Sequence, residues 1–236
     1  MRVRIGTSGF SYKEWKGSFY PEDLPDAKML GYYAERFDTV EINNTYYRMP
    51  KASVLEGWAA EVGGDFAFVL KAPQRITHLK KGAELAEPAA YFFRTATTLG
   101  PRLGPVLLQL PPYLKKDVAV LAAFFDLVPA GVRLAVEVTP TWHDEEVYAL
   151  LRDRGAALCV VDDPKKRTPL VATAGFGYLR LRETDYGEAE LASWADRILA
   201  MPWSEAWVFF KHEDAGAGPR LGAAFRARID ARVRGT

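Results

Sequence analysis

The sequence predicts a closed (β/α)₈ TIM barrel formed by a single domain over 1–236, and three observations point to it. Eight apolar runs of strand length recur along the chain, separated by segments with helical periodicity. Within the runs nearly every position is apolar, as in parallel strands covered on both faces. The length, 236 residues of which 49% are hydrophobic, suits one large core. An open doubly wound sheet is the competing architecture. Against it, Gly6-Thr-Ser-Gly9 after the first run lacks the third glycine of a dinucleotide fingerprint and enters a long aromatic loop.

In chain order, the first run is Val3 to Ser8, followed by a loop rich in aromatics and a helix from Ala27 to Phe37. The second, Thr39 to Asn43, precedes a helix from Ala52 to Val62, and the third, Phe66 to Lys71, precedes one from Pro88 to Leu99. Val106 to Leu110 and Leu134 to Val138 are the fourth and fifth, with helices Val118 to Leu127 and Glu145 to Arg154 behind them. After the sixth run, Ala157 to Val161, the two prolines of Asp163-Pro-Lys-Lys-Arg-Thr-Pro169 predict an irregular connection. Tyr178 to Arg182 and Ala206 to Lys211 complete the set, with helices Glu188 to Met201 and Pro219 to Val233. Pro219 suits a first helical turn.

Composition excludes several function classes. A formal charge of +1 gives no global field toward nucleic acid or membrane, so any anion site must be local. One cysteine, Cys159 in an apolar run, excludes an internal disulfide and a multi-cysteine zinc site, and reads as a buried structural thiol. No stretch approaches transmembrane length and the N-terminus has no signal-like apolar region, so a cytoplasmic protein without a membrane partner is expected.

A barrel carries its active site at the carboxyl ends of its strands. Those ends are polar here: Ser8, Glu41 with Asn43, Lys71, Gln109, Glu137, Asp162, Arg180 with Arg182, and Lys211. Strand alternation sets Glu41 and Asn43 on one face, opposite Val40 and Ile42. Glu41 and Glu137 are candidates for proton transfer, and Lys71, Arg180 and Lys211 for holding an anionic group. Equally, these charges read as a buried ion-pair network closing the core. The chain has two Asn and two Gln, all at or just beyond strand ends. Such scarcity resembles the avoidance of thermolabile side chains, so Asn43 and Gln109 are counted among the candidates. Gly216 and Gly218, before the last helix, read either as an anion-binding turn or as part of a helix cap. Tyr46 and the aromatics Phe10, Tyr12, Trp15, Phe19 and Tyr20 offer a stacking surface or loop packing. His78, His143 and His212 lie past strand ends, but their spacing pairs no two metal ligands and lysines and arginines surround them. No cofactor or metal is expected.

Several blocks closely resemble the YecE-like family, domain of unknown function 72. They are Ile5-Gly-Thr-Ser-Gly-Phe-Ser-Tyr-Lys-Glu-Trp-Lys-Gly-Ser-Phe-Tyr-Pro21, Val40-Glu-Ile-Asn-Asn-Thr-Tyr-Tyr-Arg48, Phe66-Ala-Phe-Val-Leu-Lys-Ala-Pro73, Ile76-Thr-His78 and Leu108-Gln-Leu-Pro-Pro112. Val136-Glu137 with Trp142, Tyr178-Leu-Arg180 and Phe209-Phe-Lys-His-Glu213 match as well. The resemblance implies a TIM barrel similar to those of xylose isomerase and endonuclease IV, and implies no established activity. Many members carry Arg-His after the fifth-strand glutamate and His-Gly after the seventh-strand arginine. This chain has Val138-Thr-Pro-Thr-Trp142 and Leu181-Arg182-Glu183 there, so a mechanism resting on those histidines does not carry over.

Two function classes follow. One is a metal-independent acid/base enzyme, a hydrolase, lyase or isomerase, acting on a phosphate-bearing sugar, nucleotide or nucleic acid. The other is a non-catalytic binder of nucleotide or nucleic acid; a metal-dependent hydrolase stands third. The residues leave open which applies, and leave the oligomeric state open.

Overall fold

The computed structural model describes residues 1–78, 83–211 and 216–234. Eight parallel strands form the wall: β1 (Arg2–Thr7), β2 (Thr39–Ile42), β3 (Ala67–Leu70), β4 (Val106–Gln109), β5 (Leu134–Glu137), β6 (Ala157–Asp163), β7 (Phe176–Leu181) and β8 (Glu205–Phe210). Ladders run from β4 through β5, β6, β7 and β8 to β1, while β2 and β3 pair separately. Two seams close the ring, an isolated bridge between Ser8 and Glu41 and another between Lys71 and Leu107. The architecture is therefore the α/β TIM-like barrel the sequence predicts.

Side chains complete the β1–β2 seam where the ladder is thin. Tyr33 Oη accepts from the Thr7 N–H at 2.8 Å and donates to the Thr39 carbonyl at 3.1 Å. Asp38 Oδ1 accepts from the Ile5 N–H at 3.0 Å and is held by Arg226 at 2.9 Å. Gly6 sits here because a Cβ would stand 2.1 Å from the Thr39 carbonyl oxygen.

Helices α1 (Met29–Ala34), α2 (Ala52–Glu61), α3 (Ala83–Ala96), α4 (Val118–Phe125), α5 (Glu145–Asp153), α6 (Glu188–Leu199) and α7 (Ala217–Arg234) cover the wall. Asp117 and Asp144 cap α4 and α5 by accepting from the Val120 and Val147 N–H groups, each at 3.0 Å. One boundary departs from expectation: α3 is already helical at Ala83, with Pro88 inside it rather than at its start. Proline's missing N–H removes only one hydrogen bond there. The connection after β6 is irregular as expected, but it contains a hairpin. Lys166–Arg167 form a two-residue strand antiparallel to the end of β6, pairing Asp162 with Arg167 and Asp163 with Lys166.

Alternation along the strands separates two apolar clusters. Val69, Leu107, Ala135, Cys159, Tyr178 and Phe209 belong to the interior, whereas Val40, Phe68, Leu108, Val136, Val160 and Val208 pack outward under the helices. No helix among the described residues is long and apolar enough to cross a membrane.

Candidate active site

The alternation that turns Val40 and Ile42 outward turns Glu41 inward, and it does the same for Glu137 in β5 and for Tyr178 and Arg180 in β7. Arg180 then reaches across the interior. Its Nη2 donates to Glu41 Oε1 at 2.8 Å and its Nη1 to Glu137 Oε2 at 2.7 Å. Ser8 Oγ and Tyr178 Oη donate to Glu41 at 2.8 and 2.6 Å. Glu137 Oε1 accepts from Gln109 Nε2 and Lys166 Nζ, both at 3.1 Å. Arg180 is 2% exposed, Glu41 0% and Glu137 5%, so the triad is closed to water.

Burial by itself raises a carboxyl pKa, because the charged form loses its hydration. At Glu41 the Arg180 guanidinium, with Tyr178 and Ser8, outweighs burial and holds the carboxyl below its ordinary range. At Glu137, Arg180 and Lys166 overcome the same penalty and bring it to about 2. A carboxylate of that kind attracts cations and accepts hydrogen bonds, but near neutral pH it is a poor proton donor.

Lys71 has a different environment. Burial first, then Arg180 nearby, lowers its ammonium to about 8 against the opposing pull of Glu41 and Glu137. Among the described residues it forms no ion pair; its Nζ lies 4.2 Å from the centre of the Tyr46 ring. Thr45 steadies the strand exit below it, donating from Oγ1 to the Lys71 carbonyl at 2.6 Å. Burial thus brings the Lys71 ammonium toward neutral pH.

The other sequence candidates divide. Gln109 joins the triad, and Tyr46 lies under Lys71. His78 accompanies Tyr113, ring nitrogen to hydroxyl at 3.0 Å, both of them beyond the strand ends. Lys211 is half-buried at the end of β8. Asn43 does not share the Glu41 face, because β2 ends at Ile42 and Asn43 takes helical angles, φ −86° and ψ −23°. With Asn44, Phe10 and Trp58 it lines a cavity of about 320 Å³ beside the loop after β1. Asp162 is not at the mouth either. Val161 holds the inward position of β6, so Asp162 turns outward and accepts from Tyr186 Oη and Trp194 Nε1, each at 3.0 Å. Arg180 is spent on two carboxylates rather than held open for an anion. The Gly216 and Gly218 turn is filled, since a Cβ at Gly216 would meet Ser18 Oγ at 2.6 Å and one at Gly218 the Lys211 carbonyl oxygen at 2.6 Å. His212 and Ala215 lie outside the described residues.

Trp15, Phe19 and Tyr20 pack rather than present a stacking face, whereas Phe10 and Tyr12 line the cavity beside Asn43. Trp15 and Tyr20 are 0% and 1% exposed, and Phe19 meets Tyr33 of α1 and Phe37 beyond its end. Sequence reasoning missed Tyr178 and Lys166 as members of the site. Tyr178 was detectable, two residues before Arg180 on one strand face. Lys166 was not, because only the hairpin returns it over Glu137. Among the described residues no group of three His, Cys, Asp or Glu side chains is placed to hold a metal ion.

Comparison with known proteins agrees with the fold. A family model described as "Protein of unknown function DUF72" matches residues 4–236. The chain is 33% identical to the UPF0759 protein YecE of Escherichia coli strain K12 over 107 residues, 45% of this chain and 39% of that protein. It is 29% identical to the UPF0759 protein YunF of Bacillus subtilis over 128 residues, 50% of this chain and 44% of that one. Less than half the length of either curated relative is therefore matched. A crystal structure of a DUF72 family protein from Thermotoga maritima superposes with a TM-score of 0.84 at 29% identity, covering 98% of this chain and 100% of that one. An L-ribulose 3-epimerase structure, at 13% identity and TM-score 0.58 over 99% and 96% of the two chains, shares the fold.

Proposed function

The chain belongs to the DUF72 family, and from the geometry of its mouth we propose that it is an acid/base enzyme. Its substrate is a small phosphate-bearing molecule, a sugar phosphate or nucleotide, received at the carboxyl ends of the strands. One observation carries this reading: Lys71, half-buried at a strand exit and without an ion-paired carboxylate among the described residues, has its ammonium pulled down to about 8. General acid/base catalysis is most efficient when the pKa lies near working pH. Lys71 is the proton-transferring group. Glu41 and Glu137 are fixed negative charges that Arg180, Ser8, Tyr178 and Gln109 position, and Lys166, Arg182 and Lys211 supply positive charge at the rim. This exchanges roles suggested by the sequence, in which the glutamates moved the proton and Lys71 held the anion.

The test is turnover of a panel of sugar phosphates and nucleotides followed by phosphorus NMR. Replacing Lys71 by Met is expected to cut kcat by roughly 10²- to 10⁴-fold while leaving inorganic phosphate binding intact. For the wild-type protein kcat/KM is expected to bend near pH 8. Turnover that survives Lys71→Met undiminished sinks the assignment.

A second reading, non-catalytic binding of single-stranded nucleic acid, is favoured by Tyr47 and Tyr113, 77% and 69% exposed. It predicts affinity falling steeply with salt and with Tyr47→Ala, which a small-molecule enzyme would not show.

A further inference from the structure

Among the described residues, Arg180, Lys166 and Arg182 each have a carboxylate partner in the mouth, and Lys71 has none within ion-pair distance. Arg180 is clasped by Glu41 and Glu137, Lys166 lies 3.1 Å from Glu137, and Arg182 faces Asp163 at 3.8 Å. Lys71 stands over the Tyr46 ring, half-buried, with Glu41 and Glu137 acting on it only through space. A lysine placed for electrostatics alone is better served by an ion pair or by water. This one has no ion pair among the described residues and only partial access to water, the setting in which a lysine amine becomes nucleophilic.

Building on the reading of the mouth as the site for a phosphate-bearing substrate and of Lys71 as its reactive group, we propose that Lys71 acts by forming a Schiff base with a substrate aldehyde or ketone, its proton exchange being that of making and breaking the imine. The lone pair of neutral Nζ adds to the carbonyl carbon, forming the C–N bond, and the carbonyl oxygen takes up a proton. The carbinolamine then loses that oxygen as water: its C–O bond breaks as the nitrogen lone pair makes the C=N bond. Both protons of the amine leave with the oxygen, so amine and carbonyl give imine and water without a further reactant. Once protonated, the imine carries the same single positive charge as the ammonium it replaces. Glu41 and Glu137, which favour a cation at Nζ, thus favour it equally. The substrate class is therefore a carbonyl compound bearing an anionic group, and the chemistry is bond-making or bond-breaking next to that carbonyl carbon, for which the imine is the electron sink.

The experiment is to incubate the intact protein with pyridoxal 5′-phosphate, an aldehyde carrying a phosphate, reduce with borohydride, and map the modified peptides by mass. Reduction is expected to trap Lys71 at least about tenfold faster at pH 7 than an exposed lysine such as Lys13, because more of its amine is neutral. Excess inorganic phosphate should slow it. Lys71→Met should remove the fast adduct and retain the wild-type circular dichroism spectrum. Phosphate binding is measured in parallel by phosphorus NMR. If Lys71 is labelled no faster than Lys13 while phosphate still binds, the Schiff base is wrong and the anion-binding mouth stands. If neither occurs, both readings fall.

Discussion

Arg180 and Lys71 both lie at the carboxyl end of the barrel, yet their charges are handled in opposite ways. Arg180 loses its hydration and regains two short charge-assisted bonds, so its partners cannot be removed singly. Arg180→Met is expected to leave buried Glu41 without a cationic partner and Glu137 with Lys166 alone, and to lower the unfolding free energy by about 3–5 kcal/mol in urea titrations. Replacing Glu41 and Glu137 by Leu in the same chain should restore most of that loss. Lys71 has the reverse sign. Its folded pKa, about 8, lies below the ordinary lysine value, so below pH 8 the folded protein is charged there at a cost the unfolded chain does not bear. Lys71→Met is therefore expected to stabilise the protein at pH 7 by on the order of 1 kcal/mol, discounted for partial exposure. The gain should shrink as pH rises from 8 toward the unfolded value and vanish above it. A stability gain there beside a loss of turnover would be the mark of a residue kept for chemistry.

The elements differ in how they are joined. From β4 round to β1 backbone ladders hold neighbours together, whereas the β1–β2 seam relies on Tyr33 and Asp38. Tyr33→Phe keeps the ring buried but strands the Thr7 N–H and the Thr39 carbonyl. It is expected to cost about 1–3 kcal/mol, with faster hydrogen exchange confined to β1 and β2. That seam carries Ser8 and Glu41, so loosening it should also disturb the Glu41 half of the triad. The hairpin after β6 acts on the other half, since Lys166 comes to Glu137 from a connection whose prolines pointed only to irregularity. Helix positions were legible from periodicity to within a few residues. The exception is Pro88, which lies within α3, where it removes one helical hydrogen bond and crowds the carbonyl four residues before it.

Across the whole molecule, depressed carboxyl pKa values lie at both ends of the barrel. Glu137 is at the carboxyl end, and Glu205, where burial is outweighed by Arg133 and Arg4, is at the other. A carboxyl depressed in the folded state contributes stability above its unfolded pKa and loses it as pH falls through the folded one. Stability is accordingly expected to decline steeply from about pH 5 toward pH 2, with a shallower slope in Glu137→Gln, measured by thermal unfolding at each pH. The amino-acid order alone determined the eight strands, the opposition of Glu41 to Val40 and Ile42, and the place of Glu137 and Arg180 at strand ends, because all of these follow from local periodicity. Tertiary structure decided which of those residues meet. Arg180 finds Glu41 only because the ring closes through β8 and β1, and Glu137 only because one strand intervenes. Asp162 turns outward because β6 runs past Val161, and the Gly216 turn is filled because Ser18 returns to it. Closure, register and loop return join residues far apart in the chain, and no local pattern encodes such distances.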